Sequence, residues 1–190
     1  MALTHTQVEQ IFNSSFSGSH NVRLLGGFEE PEYIPPNFAP SRIEPSEIKS
    51  IAQVCYKLDY VQSALHEAAH WCVAGAKRRE LLDYGYWYAP DGRDANQQKA
   101  FFLVESRSQS LEWLFSSAAG VPFQPSVDNL NLQGGVAEPL PIYFVEQMKN
   151  FAIEYLSNNS LVRSNQFISA LRNSSGELLI SASEIIETEF

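Results

Sequence analysis

Two histidines one helical turn apart, His66 and His70, sit in the run His66-Glu67-Ala68-Ala69-His70. On a helix, positions four apart share a face, with roughly 5–6 Å between their Cβ atoms. Two imidazoles so placed can reach one ion at about 2.0–2.1 Å without distorting the backbone. The pattern is therefore a bidentate clamp for a divalent metal ion. The chain has four histidines, His5, His20, His66 and His70, and two of them obey this spacing. Glu67 points about 100° round the helix from His66. In a metallopeptidase it would be the base that activates metal-bound water.

Two imidazoles do not complete a site, and no third histidine follows at short range. The third ligand must be acidic, and the candidates are Glu80, Asp83, Asp91, Asp94, Glu105 and Glu112. Glu80 and Asp83 fall on the same expected helix, too far along it to close the site. Glu105 stands out because Phe102-Leu103-Val104 give it a buried approach, and a buried carboxylate needs a partner. Two histidines and one carboxylate suit either a zinc hydrolase or a non-haem iron(II) oxygenase with open positions for oxygen and substrate. Spacing alone does not choose between them.

Several elements must position these groups. The metal helix is expected from Tyr60 to Leu82, with Asp59 as N-cap and Val61, Leu65, Ala68, Ala69 and Cys72 on its buried face. Lys77, Arg78 and Arg79 would then complement its C-terminal dipole. Before it, a first helix is expected from Thr6, with Thr6 and Glu9 as a capping box and Gly18 at its exit. A short strand, Val22–Leu25, closes at Gly26-Gly27, and the proline-rich stretch Pro31–Pro45 reads as irregular and extended. After the metal helix, Tyr84, Tyr86, Trp87 and Tyr88 form a strand-like aromatic segment that stops at Pro90-Asp91-Gly92. Two helical pieces follow, one from Asp94 as N-cap to Phe101 or beyond, the other at about Gln109–Ala119 and ending at Gly120. Phe123–Pro141 reads as a loop. Further helices are expected at about Ile142–Leu156, Leu161–Leu171 and Ser183–Thr188.

The 190 residues fit one domain, 1–190, able to bury roughly 70% of its unfolded surface. Apolar residues at 44% and aromatics at 12% exclude disorder. The two cysteines, Cys55 and Cys72, are too few for a disulfide framework and point to a reducing cytoplasm. No signal-like leader and no apolar run long enough to span a bilayer are visible, so no membrane partner is expected. Thirteen basic against 22 acidic residues give a net charge of −9. Free nucleic acid is thus a poor partner, and a basic protein or peptide a better one.

The run Ser63-Ala64-Leu65-His66-Glu67-Ala68-Ala69-His70-Trp71-Cys72, with Gly75 and Arg78-Arg79-Glu80-Leu81, resembles the elongation factor P hydroxylase family. So do Asp83-Tyr84-Gly85-Tyr86-Trp87-Tyr88-Ala89-Pro90-Asp91-Gly92-Arg93-Asp94 and Val104-Glu105. Gln109, Leu111-Glu112-Trp113-Leu114-Phe115, Ala118-Ala119-Gly120 and Pro122-Phe123 complete the match, which is ungapped from about Ser63 to Phe123. The segment Glu44–Tyr60 does not align, Ser108 stands where proline is expected, and the chain from Gly134 onward is unmatched.

This resemblance implies oxygen-dependent hydroxylation of a lysine on elongation factor P, after a β-lysyl group has been attached to it. Carried over by position, the metal ligands become His66, His70 and Glu105. Iron(II) is the ion this reading takes, with zinc(II) as the alternative. Glu67 would then orient ligands rather than activate water. Tyr86 and Tyr88, with Tyr84 and Trp71, are candidates for walls that exclude water. Tyr86, Tyr88, Asp91, Arg93 and Asp94 are candidate substrate contacts, Asp91 or Asp94 pairing with an ammonium of the aminated chain. Two other readings remain: a zinc metallopeptidase with a two-histidine, one-glutamate site, and a non-catalytic metal-stabilised binding protein. The expected fold is α+β and mostly helical, with a zincin-like core that sets a central HExxH helix beside a small sheet of short strands. A jelly roll is disfavoured, because its histidines would come from strands.

Overall fold

The computed structural model describes residues 1–38, 50–85, 95–125 and 140–190. Helix α1, His5–His20, is capped two residues before the expected position: Thr4 is its N-cap, and Thr4 and Gln7 form the capping box. Glu9 is used elsewhere, accepting from the Gly26 N–H at 3.2 Å and the Tyr56 hydroxyl at 3.0 Å. The helix runs past Gly18 and stops at Asn21, whose left-handed φ of 49° suits a residue that tolerates that conformation. Val8, Phe12 and Phe16 line its buried face.

Strand β1, Val22–Phe28, continues through Gly26-Gly27 instead of ending there. At Gly26 a Cβ would lie 2.5 Å from the Tyr56 ring, so the strand and that ring require glycine. Strand β2, Glu32–Ile34, is a short edge within the proline-rich stretch that was expected to be irregular. Strand β3, Ala52–Lys57, has no counterpart in the sequence reading and is the centre of the sheet. It pairs parallel with β1 and antiparallel with β2. Residues Ala52 to Tyr56 are all buried, so the strand lacks the alternation that would betray it.

Helix α2, Val61–Val73, carries the histidine pair and packs on β3 and α1. Its N-cap is Tyr60, not Asp59, and it ends nine residues before Leu82. Ala74 turns to extended backbone, with ψ 124°. The guanidinium of Arg163 then donates to Cys72 O and Ala74 O at 2.8 Å each, and Arg79 donates to Ala74 O at 2.7 Å. The basic residues read as helical dipole partners thus lie beyond the helix, and Arg79 reaches back to satisfy its orphan carbonyls.

Beyond Arg78–Glu80, Asp83 and Tyr84 both adopt left-handed φ, 45° and 58°. Such a pair of non-glycine residues needs outside support. Asp83 Oδ1 accepts from the Tyr33 N–H at 2.9 Å, and the Tyr84 ring stacks on Tyr33 at 4.2 Å. The strand-like aromatic segment from Tyr84 is therefore a left-handed turn where it is described; residues 86–94 lie outside the described residues.

Helix α3, Ala95–Ala119, is one helix of 25 residues where two pieces were expected. Its polar residues Ser106, Ser108, Gln109 and Ser110 are buried and partnered, and the helix runs through them unbroken. Ser106 Oγ donates to Gln147, and Ser110 Oγ to the carbonyls of Ser106 and Met148. The helix ends as expected at Gly120, with φ +69°. The remaining helices, α4 (Ile142–Ser157), α5 (Val162–Ser175) and α6 (Ala182–Glu187), lie close to their expected places. The observed chain is α+β and mostly helical, with one small mixed sheet among the described residues.

Trp71 belongs to this core and not to a water-excluding wall. It is 1% exposed, with ring centroids of Phe12 and Phe16 at 5.2 and 4.9 Å and the Arg163 guanidinium 5.0 Å above its own.

Candidate metal centre

The seam between α2 and α3 brings His66, His70 and Glu105 together. The two Nε2 atoms lie 2.9 Å apart. Glu105 places Oε2 3.6 Å from His66 Nε2 and Oε1 3.4 Å from His70 Nε2. Two ligand atoms each about 2.0–2.2 Å from one ion can stand no more than about 4.4 Å apart, and all three separations satisfy that limit. Among the described residues, these three form the one group of ligand-type side chains close enough to hold an ion. Two nitrogens and a carboxylate oxygen suit iron or zinc better than calcium or magnesium.

The outer nitrogens are anchored. His66 Nδ1 lies 2.8 Å from Glu112 Oε2, and His70 Nδ1 hydrogen-bonds Ser108 Oγ at 3.1 Å. A neutral imidazole that donates from Nδ1 keeps a lone pair on Nε2, where a metal needs it. Gln109 Nε2 donates to Glu105 Oε2 at 3.5 Å. Residues 105, 108, 109 and 112 occupy one face of α3, so one helix supplies both the carboxylate and the supports behind it.

Burial shapes the electrostatics. It would strip the charge from His66, but Glu112, Glu105 and Glu67 outweigh it and hold the imidazole up at about 10 in the metal-free protein. Burial would likewise raise Glu105, but His70 and His66 hold it at about 2. The carboxylates thus favour positive charge at this place in the fold. Burial also raises the Glu67 carboxyl, with the two histidines pulling the other way. Glu105 is 3% and His70 6% exposed, whereas the His66 side chain is 23% exposed, so solvent approaches from the His66 side.

Of the acidic candidates, Glu105 joins the histidines and Glu112 stands behind His66. Asp83 instead holds the Tyr33 backbone, and Glu80 is exposed in a 3₁₀ turn rather than on α2. Tyr86, Tyr88, Asp91, Arg93 and Asp94 lie outside the described residues. The reading of the sequence gave no role to Ser108. The three-residue step from Glu105 was its available signal. Tyr84 takes part in the aromatic surroundings, with its ring 6.4 Å from that of His70.

The geometry defines a helix-borne cluster of two histidines and one glutamate, of the kind that holds a transition metal. Comparison with known proteins gives that cluster a family. The family model for elongation factor P hydroxylase matches residues 11–184, and the chain belongs to the elongation factor P hydroxylase family. A curated relative from Haemophilus influenzae, the elongation factor P lysine hydroxylase, is 42% identical over 142 residues, covering 75% of each chain. The likeness therefore reaches well beyond Ser63–Phe123.

Proposed function

We propose that this protein is a metal-dependent hydroxylase that uses molecular oxygen to hydroxylate the β-lysylated lysine of elongation factor P. The observation that carries this reading is the convergence of His66, His70 and Glu105, with both outer imidazole nitrogens anchored, in a chain of this family. The relative's name supplies the reaction and the protein acted upon.

His66, His70 and Glu105 would hold the ion, taken as iron(II) with zinc(II) as the alternative. Bound there, iron would supply the means of activating oxygen beside a C–H bond. Overall, one oxygen atom enters the C–H bond and the other leaves as water, which requires two electrons and two protons from an external reductant. Glu112 and Ser108 orient the imidazoles. Glu67, whose carboxyl favours its proton more than an exposed glutamate would, would orient a ligand or act as a base. The buried surroundings of His70 and Glu105 limit water at the site.

The same reading takes residues 1–190 as one domain. It takes the core as zincin-like, because α2 bears both histidines and lies against the sheet. A cytoplasmic setting is supported by two buried, unbridged cysteines, and no helix among the described residues is long and apolar enough to cross a membrane. Tyr86, Tyr88, Asp91, Arg93 and Asp94 remain the proposed substrate contacts.

Intact-mass analysis of β-lysylated elongation factor P, after incubation with the protein, iron(II), oxygen and a reductant, tests the proposal. A gain of one oxygen atom is expected. Cleavage would favour the peptidase reading, and an unchanged mass would overturn catalysis.

A further inference from the structure

A groove of about 580 Å³ lies beside the metal centre, lined by Val73, Gly75, Ala76, Lys77, Arg78, Leu103, Val104 and Arg107. Val73 stands one turn beyond His70 on α2, and Val104 immediately precedes Glu105 on α3. The groove's apolar floor is therefore the outer side of the seam that holds the donors. Three of the chain's 13 basic residues line it, and its described lining contains no acidic residue, in a chain of net charge −9. Glu80, nearby in the same turn as Arg78, is not part of the lining.

Two of the three cations are held in place. The Arg78 guanidinium donates to Tyr84 O at 3.0 Å, and the Arg107 guanidinium lies 4.8 Å over the Phe151 ring. Lys77 forms no ion pair among the described residues and is exposed, as is Leu103 at 52%. Pre-positioned charges lose little freedom on binding. An acidic partner is repelled by most of this surface and attracted here.

We infer that this groove docks an acidic segment of the protein substrate, flanking the lysine that enters the metal centre. The inference rests on the hydroxylase reading. The substrate is then held at two places: its aminated chain enters the metal centre, and its carboxylates meet the cationic groove lined by Lys77 and Arg107.

The test is fluorescence-anisotropy binding of elongation factor P to the wild type, to Lys77→Glu/Arg107→Glu, and to Arg172→Glu as a distant control. The double reversal is expected to weaken binding at least roughly tenfold and to flatten its salt dependence, while leaving kcat at saturating substrate intact. Affinity within twofold of the control would overturn the groove, even if hydroxylation proceeds normally. Should the wild type neither bind nor hydroxylate elongation factor P, the functional reading fails, and fluorescein-labelled hexaglutamate then decides the groove. Its binding to the wild type and loss in the double variant would uphold an acidic-peptide site; no binding would overturn it. Loss of affinity for a single-stranded RNA oligomer, with elongation factor P affinity retained, would also overturn it.

Discussion

His66 Nδ1 and Glu112 Oε2 lie 2.8 Å apart across the α2–α3 seam, and Glu112 stands two turns beyond Glu105 on the same helix. The same imidazole thus faces one carboxylate with each nitrogen. Glu112→Ala should leave the fold in place and weaken metal binding by about 10–100-fold, the usual effect of losing such a support. Competition against a chelator measures it, and Glu112→Gln should recover part of the loss. An unaltered affinity in the alanine variant would remove Glu112 from this role.

Glu105→Ala should strip the site more completely, because it removes a donor rather than a support. Metal content after gel filtration, read by mass spectrometry, is expected to fall to a minor fraction of the wild-type value. Retention of wild-type content would disqualify Glu105 as a ligand.

The pH response follows from the same cluster. In the metal-free protein His66 is raised from 6.5 to about 10, so its contribution to stability is complete below pH 6.5 and is lost as pH rises through 10. Glu105 is depressed from 4.5 to about 2, so its contribution is complete above pH 4.5 and is lost as pH falls through 2. Both act fully between pH 4.5 and 6.5, and the cluster's contribution to the metal-free melting temperature should peak there. At neutral pH, metal uptake should release about one proton, measurable by calorimetry in buffers of different ionisation enthalpy. Uptake without proton release would mean that His66 is already neutral.

Arg163→Ala should destabilise the protein by about 2 kcal/mol or more, since it deprives two carbonyls at the end of α2 of a charged donor. Thermal melting tests the size of the effect. Because α2 bears both imidazoles, metal affinity should fall with it; a stable variant with intact affinity would show that α2 holds its end without Arg163.

The site was more legible in the sequence than the fold around it. The spacing of His66 and His70 carries its own geometry, and the apolar approach to Glu105 marked a buried carboxylate. The extent of α3 was hidden because the polar Ser106 and Ser108 lie between the two expected pieces, whereas Ser106, Ser108 and Ser110 find partners on neighbouring helices and Gln109 finds Glu105 one turn back. Periodicity detects apolar faces and is blind to a buried polar one. Strand β3 was hidden for the opposite reason: buried on both sides, it shows no alternation. The end of α2 depended on Arg163, a residue 91 positions away from the Cys72 carbonyl it caps, which no local window contains.

Since α2 supplies the imidazoles and α3 the carboxylate, neither helix alone makes a strong trap for an ion. On the proposed ligand set, a chain emerging from the ribosome would have only a two-nitrogen grip until residue 105 has been made and the two helices have docked. Commitment to a particular metal would thus be deferred until the protein has taken shape, and wrong ions met earlier could still be let go.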